Sequence, residues 1–290
     1  MNTINFAAIP VPGFFEPVSS WTHLLAATLS FVGFFILLKR AKGNGVRVFS
    51  IVIYTMSLIF LFSMSGVYHL LDRGTIARDV FQRLDHAGIW FLIAGTFTPI
   101  HTILFRGPWR WGVLLTVWII AITGLTLEVI FFSSIPEWLY MCFYLGLGWF
   151  GLISMWKFRV QFSHKTLSFM VAGGLFYSIG ALFEFIRWPI FYYGVVGPHE
   201  IFHIFVMLGA LSHWLFIYTW SNQPVYPKIE VHVKVYPNNQ YYAFGINEKI
   251  MATGKSADQL KENLKNFVDQ QYHTSIKPQI ELKYFNQEIL

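Results

Sequence analysis

The sequence has few charged residues and almost no cysteine. Only 12% of its 290 residues are charged, whereas about 25% are charged in an average soluble domain. The single cysteine, Cys142, lies inside an apolar stretch, which excludes an intrachain disulfide and any multi-cysteine zinc cluster. A metal site in this chain would therefore need histidine and carboxylate ligands.

Apolar residues take the place of the missing charge. The chain is 55% hydrophobic and 19% aromatic, which is the composition of a membrane protein. Residues 1–17 lack the basic start, apolar centre and small-residue cleavage pattern of a signal peptide. The net charge of +6 comes from Lys and Arg scattered between apolar runs, a pattern that favours loops facing an anionic leaflet and predicts no nucleic-acid partner.

Seven apolar stretches are long enough to cross a bilayer, which takes roughly 20 residues each. The predicted spans are Trp21–Leu38, Val48–Leu71, Ala87–Phe105, Trp111–Phe132, Trp138–Trp156, Phe169–Arg187 and His199–Trp220. Short connectors with Gly, Pro and Ser separate them, and Trp occurs at many span ends, where indoles favour the headgroup region. The predicted fold is an all-α seven-transmembrane helix bundle.

After Trp220 the sequence becomes polar. The predicted organisation is an N-terminal segment (1–20), the membrane domain (21–220) and a small soluble α+β domain (221–290). In the last of these, alternating patterns predict the order β-β-β-α-β. Strands are expected at Ile229–Tyr236, Tyr241–Ile246, Lys249–Thr253 and Gln279–Phe285, with a helix that begins at a Ser256/Gln259 capping box. This domain is a candidate for binding a protein partner.

The distribution of Lys and Arg predicts the orientation. The connectors after spans 1, 3 and 5 contain nine such residues: Lys39, Arg40, Lys42, Arg47, Arg106, Arg110, Lys157, Arg159 and Lys165. The opposite side has four: Arg73, Arg78, Arg83 and Arg187. Because cytoplasmic loops are enriched in Lys and Arg, the C-terminal domain is expected in the cytoplasm and the N-terminus outside.

Polar residues gather at one level of the predicted bundle. Span 2 ends in "SMSGVYHLL", span 3 begins after "RLDH", and span 7 begins with "HEIFH". With seven crossings, these ends all lie at the N-terminal side of the membrane. Residues four apart share a helix face, so His199 and His203 point inward together, and His69 meets them from span 2.

Three imidazoles in one place predict a zinc site. Three histidines with an open fourth position are a usual catalytic zinc arrangement, in which the bound water becomes a nucleophile near neutral pH. Asp85 would orient or deprotonate that water, and Ser65 would hydrogen-bond the substrate or a ligand. The predicted ligands are His69, His199 and His203, and the predicted cofactor is Zn²⁺.

The stretches "EPVSSWTHLL", "SGVYHLL", "RLDHAGIWFLIAGTFTP" and "HEIFHIFVMLGALSH" resemble the haemolysin III family. This family is the bacterial branch of the progestin and adiponectin receptor (PAQR) superfamily, and the resemblance covers residues 14–220. It implies zinc on His69, His199 and His203, with Asp85 and Ser65 beside it, in a bacterial plasma membrane. The superfamily is similar to alkaline ceramidases, which implies zinc-dependent hydrolysis of a lipid amide. In its receptor branch zinc lies toward the cytoplasm, opposite to the side that the charge count predicts here.

Other functions remain open at this stage. "HEIFH" matches the H-E-x-x-H pattern of zinc proteases, in which the glutamate, here Glu200, is the general base. Zinc could instead be structural, in a non-enzymatic receptor or a protein of membrane stress or lipid homeostasis. A pore is the weakest reading, because no span has repeated hydrophilic positions.

The remaining polar residues of the spans are predicted to have structural roles. His23, His101 and His213 are interpreted as packing residues that bridge helices. His86 is expected to face a neighbouring helix or headgroups, and Glu184 is expected to pair with Arg187, three residues later on the same helix.

Overall fold

The computed structural model describes residues 7–105, 107–158, 164–222, 228–237, 239–245, 250–271 and 279–285. The chain divides into two compact units, residues 1–222 and 223–290. The first is helical and the second contains the sheet, in agreement with the predicted fold class.

The first unit consists of eight helices in its described part. They are α1 (Pro17–Ala41), α2 (Gly45–Leu70), α3 (Ile76–Leu104), α4 (Gly107–Ile130), α5 (Glu137–Trp149), α6 (Gly151–Phe158), α7 (His164–Ile186) and α8 (Pro198–Trp220). Seven segments are long and apolar enough to cross a membrane, as predicted. Large apolar side chains such as Leu29, Phe35 and Ile119 are exposed on the outside, which fits a surface solvated by lipid rather than water.

The fifth span is two helices rather than one. Helix α5 ends at Trp149 and α6 begins at Gly151, with Phe150 between them. This segment contains three glycines, Gly146, Gly148 and Gly151, and glycine weakens a helix interior. The break therefore lies where glycines make the helix least stable.

Helix α3 lies at the centre of the bundle, and most of its residues from Ala87 to Leu104 are buried. It begins at Ile76, well before the predicted span, because Thr75 caps it by accepting a hydrogen bond from the Arg78 N–H at 3.2 Å. Asp85 therefore lies inside an established helix. Gly95 allows close packing on α2, since a Cβ there would collide with Ser57.

Helix α1 is held against α2 and α8 at the N-terminal side. The Ser20 hydroxyl donates to the Gly66 carbonyl of α2 at 2.7 Å, and the Ser19 hydroxyl donates to Glu200 of α8 at 3.0 Å. At the opposite end of the bundle, Arg40 and Arg47 donate to carbonyl oxygens at the C-terminus of α8, where cations are favoured. These contacts fix the level at which α1, α2 and α8 meet.

The second unit has the predicted order of elements. It contains β1 (Lys228–Val235), β2 (Tyr241–Gly245), β3 (Met251–Gly254), α9 (Ala257–Gln271) and β4 (Gln279–Phe285). The sheet order is β3-β2-β1-β4, with β4 parallel to β1 and the other pairs antiparallel. Ile229, Val231 and Val233 of β1 form a core with Leu260 and Leu264 of α9.

Of the two hydrogen bonds predicted for the capping box of α9, one is present. Ser256 accepts from the Gln259 N–H at 3.2 Å, but the Gln259 side chain accepts from the N–H of Lys255 rather than from that of Ser256. Two predicted strand ends, Ile246 and Lys249, lie outside the described residues.

Candidate metal centre

Three histidines converge where α2 ends and α8 begins. His69 lies in the last turn of α2, and His199 and His203 lie one turn apart in the first two turns of α8. One nitrogen from each ring lies within 4.8 Å of the others. The Nε2 atoms of His69 and His199 are 3.2 Å apart, and the ring centroids of His203 lie 4.7 Å from His69 and 4.6 Å from His199. The structure thus brings together the three predicted ligands, and they could hold a metal ion.

His69 is oriented by a carboxylate from the start of α1. Its Nδ1 lies 2.5 Å from Glu16 Oε2, and both side chains are largely buried. Glu16 also accepts from Arg78 at 2.8 Å and from Arg73 at 2.9 Å. Burial raises the pKa of Glu16, but hydrogen bonds and charge from His69, followed by Arg73 and Arg78, lower this pKa well below its ordinary value. An ionised carboxylate only accepts, so Nδ1 of His69 donates to Glu16, and in the neutral ring Nε2 is the nitrogen left to bind a metal.

A second carboxylate orients His199. Glu184 Oε1, in the last turn of α7, lies 3.3 Å from Nδ1 of His199 and also contacts Arg187. The predicted Glu184–Arg187 pair is present, but the structure adds a contact with a candidate ligand. With hydrogen on Nδ1, His199 also directs the Nε2 lone pair toward His69.

This arrangement matches the donor set of a metal. The two Nε2 atoms are 3.2 Å apart, a distance that fits either a shared hydrogen or a metal ion bound by both. In a tetrahedral site with zinc–nitrogen distances of about 2.0–2.1 Å, two ligand nitrogens are roughly 3.3 Å apart. Carboxylates on the second nitrogens of metal-binding histidines are the usual outer partners. With the third imidazole of His203, the group could hold a metal ion.

His23, which the sequence assigns to packing alone, lies against the candidate ligands. Its ring stacks on His203 with centroids 3.7 Å apart and planes within 10°. It is buried, and neither ring nitrogen makes a hydrogen bond of good geometry within the described residues. Its position in the first turn of the predicted span 1, on the N-terminal side, is the signal that could have placed it here.

Ser65 and Asp85 line a cavity that begins at the histidines. The cavity has a volume of about 240 Å³, and its lining includes His23, His199 and His203. Its other walls are largely apolar and come from α3, α5, α6, α7 and α8, including Ile93, Phe97, Leu145, Met155 and Val206. The predicted polar residues therefore share one space with room for an apolar chain.

Glu200, the acid of "HEIFH", does not face this space. One carboxylate oxygen accepts from the Ser19 hydroxyl at 3.0 Å, and the other accepts from the Gly197 N–H at 2.9 Å. Glu200 therefore caps α8 and ties it to α1. Both oxygens are occupied by structural bonds.

His86 faces a neighbouring helix, one of the two placements expected. Its Nδ1 lies 2.9 Å from Glu128 Oε1 of α4. Glu128 also accepts from the Trp90 indole at 2.6 Å and the Tyr144 hydroxyl at 2.6 Å. No local sequence pattern identifies the partners of Glu128, because they come from two other helices, α3 and α5.

Two other histidines bridge helices as interpreted. His101 lies 2.9 Å from the Trp109 carbonyl and 3.1 Å from the Ser154 hydroxyl. His213 donates to the Met170 carbonyl at 3.3 Å, away from the three ligands. Both are packing residues that also line the cavity.

Comparisons with known proteins agree with this architecture. Residues 14–214 match the family described as "Haemolysin-III related". The chain is 30% identical over 197 residues to Hemolysin-3 of Bacillus cereus, covering 67% of this chain and 86% of that protein. It is 27% identical over 224 residues to heptahelical transmembrane protein 1 of Arabidopsis thaliana, covering 69% and 67%. It is also 25% identical over 223 residues to the human monocyte to macrophage differentiation factor, covering 73% and 89%. The chain is an integral multi-pass membrane protein and belongs to the haemolysin III family within the PAQR superfamily.

Proposed function

We propose that this protein is a zinc-dependent hydrolase of lipid amides, with zinc held by His69, His199 and His203. One observation carries the proposal: two of the three clustered imidazoles, those of His199 and His203, line a cavity whose walls are largely apolar. A substrate that places a polar carbonyl beside the histidines and an acyl chain along the apolar walls fits this space. Membrane lipids have this division.

The residues divide the chemistry among them. Zinc held by the three histidines would supply an activated water and polarise a carbonyl. Asp85 would take the proton from the attacking water and pass it to the leaving nitrogen, and Ser65 would donate a hydrogen bond to the substrate. A bond forms between the water oxygen and the carbonyl carbon, and the C–N bond breaks, so the products are a fatty acid and an amine.

The geometry supports this reading over an H-E-x-x-H protease. The glutamate of such an enzyme must reach the attacking water. Both carboxylate oxygens of Glu200 are already occupied by Ser19 and by the backbone of Gly197. Asp85, which lines the cavity, is the better candidate for the base.

A structural zinc site in a non-enzymatic receptor is the second candidate. Its ligands come from α2 and α8, and their carboxylate partners come from the start of α1 and from α7. A metal ion bound there would hold four elements together without any reaction. The two candidates share the metal and differ in turnover.

The membrane is proposed to be the bacterial plasma membrane, with the C-terminal unit in the cytoplasm. The excess of Lys and Arg after spans 1, 3 and 5 supports this orientation, although Arg106 and Arg159 of that count lie outside the described residues. Protease treatment of sealed inside-out vesicles should digest the C-terminal unit. Protection of the unit from the protease would indicate the opposite orientation.

Metal analysis of the purified protein tests the first step. His203→Ala should lose zinc, whereas His213→Ala, on the same helix, should retain it. Full zinc retention by His203→Ala would exclude the ligand set. Asp85→Asn should then keep zinc and lose the release of fatty acid from N-acyl amino-alcohol lipids. If the zinc-loaded wild type cleaves no lipid amide, the structural-zinc receptor replaces the hydrolase.

A further inference from the structure

A second buried polar cluster reaches the same cavity through two of its members, His86 and Tyr144. It consists of Glu128 from α4, His86 and Trp90 from α3, and Tyr144 from α5. Glu128 is 1% exposed and receives hydrogen bonds from all three partners, at 2.6 to 2.9 Å. Ionisable groups inside a membrane bundle are costly and mark functional positions by default. The three ligand histidines, on α2 and α8, are not part of it.

Bridging helices does not account for all of this cluster. The bonds from Trp90 and Tyr144 already join α3, α4 and α5 through Glu128. His86 adds a further bond from α3, four residues before Trp90. Its side chain is 22% exposed and lines the same cavity as Asp85 and His199. A histidine that only joined helices could be fully enclosed by them, whereas part of the His86 ring faces the cavity, where a ligand can contact it.

The bond to Glu128 determines which ring nitrogen remains. Nδ1 donates to the carboxylate at 2.9 Å, so Nε2 is the nitrogen left for a ligand. A neutral ring accepts at Nε2 and a protonated ring donates there. A hydroxyl group both donates and accepts, so it can bond Nε2 in either state.

We propose that His86, held by Glu128, is a specificity-determining residue that binds a hydroxyl group at the polar end of the lipid. The inference rests on the proposed lipid-binding function and narrows its substrate class. The preferred lipids carry a hydroxyl near the amide, and simple N-alkyl amides bind less well. Glu128, Trp90 and Tyr144 act as positioning residues that fix the His86 ring.

Binding of uncleavable lipids tests this inference without requiring turnover. The probes are two dialkyl ureas of equal chain length, one with a 2-hydroxyl group and one without it. Their affinities for the detergent-solubilised full chain are measured by ligand-induced thermal stabilisation. The wild type should bind the hydroxylated urea about threefold to tenfold more tightly, as expected for one net hydrogen bond.

Three variants locate the source of that preference. His86→Phe keeps a ring and removes both nitrogens, and His86→Asn keeps a donor close to Glu128 but has no atom at the Nε2 position. Both should bind the two ureas equally. His213→Phe is the matched control, because His213 also lines the cavity and also uses one ring nitrogen for a bond within the protein, here to the Met170 carbonyl. It should keep the preference, and the zinc content of each variant reports that the bundle is folded.

The outcomes separate this inference from the hydrolase proposal. Equal binding by the wild type, a preference that survives in both His86 variants, or an equal loss in His213→Phe would overturn the role of His86. If the preference depends on His86 but no amide is cleaved, the His86 subsite is supported and the hydrolase proposal is rejected. If amides are hydrolysed but the hydroxyl group has no effect on binding, the hydrolase proposal is supported and the His86 subsite is rejected.

Discussion

Glu16 and His69 are joined by a 2.5 Å contact between a carboxylate oxygen and Nδ1, although 53 positions separate them in the chain. Glu16 is the residue before α1, and His69 lies in the last turn of α2. The same carboxylate pairs with Arg73 and Arg78. The start of α1, the end of α2 and the following loop are therefore tied together at the candidate ligand.

Replacing Glu16 by Gln should weaken metal binding without removing it. The neutral side chain can still bond Nδ1, but it no longer makes the ring more basic and leaves Arg78 buried without its ion pair. Loss of such an outer partner typically lowers metal affinity by about 10- to 100-fold. Competition with a chelator of known affinity measures the change.

The control for Glu16→Gln is Arg73→Gln. The Arg73 side chain is 64% exposed, so its pair with Glu16 contributes at most about 1 kcal/mol, and metal affinity should change little. Equal metal affinity in Glu16→Gln and the wild type would mean that Glu16 serves only the arginines.

Glu184→Gln should produce a smaller loss of metal affinity than Glu16→Gln. Its contact with His199 is longer, at 3.3 Å, and the His199 side chain is 34% exposed, so solvent can replace part of the lost interaction. A change of about tenfold or less is expected. Arg187→Gln, which keeps Glu184, separates an effect on His199 from one on the ion pair. A larger loss in Glu184→Gln than in Glu16→Gln would contradict this order.

The sequence was sufficient for the parts of the site that follow from helical period and parity. Those two rules brought His69, His199 and His203 to one level and one face, because span ends on one side of a membrane must share a level. The same parity places Glu16 on the side of the membrane where His69 lies, since it precedes the first span on that side. It does not predict their contact, because a residue outside the apolar run carries no periodic signal.

Other features depend on packing and could not be predicted from the sequence. The stacking of His23 on His203 requires the distance and rotation between α1 and α8. Those are fixed by the Ser19–Glu200 bond and by the close approach of Trp214 in α8 to Gly33 in α1. Glu128 meets His86 and Tyr144 only because α4 and α5 both pack on α3. In each case the partners lie on different helices, where no local pattern specifies the pairing.

His23→Phe should retain the metal and unfold at a temperature no lower than that of the wild type. The ring still stacks on His203, and two buried nitrogens without good hydrogen bonds are removed, each worth about 1–3 kcal/mol when unsatisfied. His23→Ala should instead destabilise the bundle by roughly 2–4 kcal/mol, because it leaves a cavity beside His203. Thermal unfolding and metal content measure both effects.

A clear drop in the stability of His23→Phe would show that the His23 nitrogens have a polar partner in the folded protein. In that case a bound ligand or water, rather than stacking alone, would account for the histidine. Loss of metal by the Phe variant would assign His23 to the metal centre itself.

In the C-terminal unit, Leu264→Ala should unfold the sheet domain while leaving the membrane helices intact. Leu264 is 1% exposed and packs in the core formed by α9 and β1. Truncating a buried leucine costs about 2–5 kcal/mol, which is a large share of the stability of a domain this small. Lys265→Ala, at the next, exposed position of the same helix, is the control. Hydrogen exchange in the full chain should show faster exchange in β1 and α9 of Leu264→Ala only, with unchanged protection in α2 and α3. Faster exchange throughout the membrane helices would mean that the two units do not unfold independently.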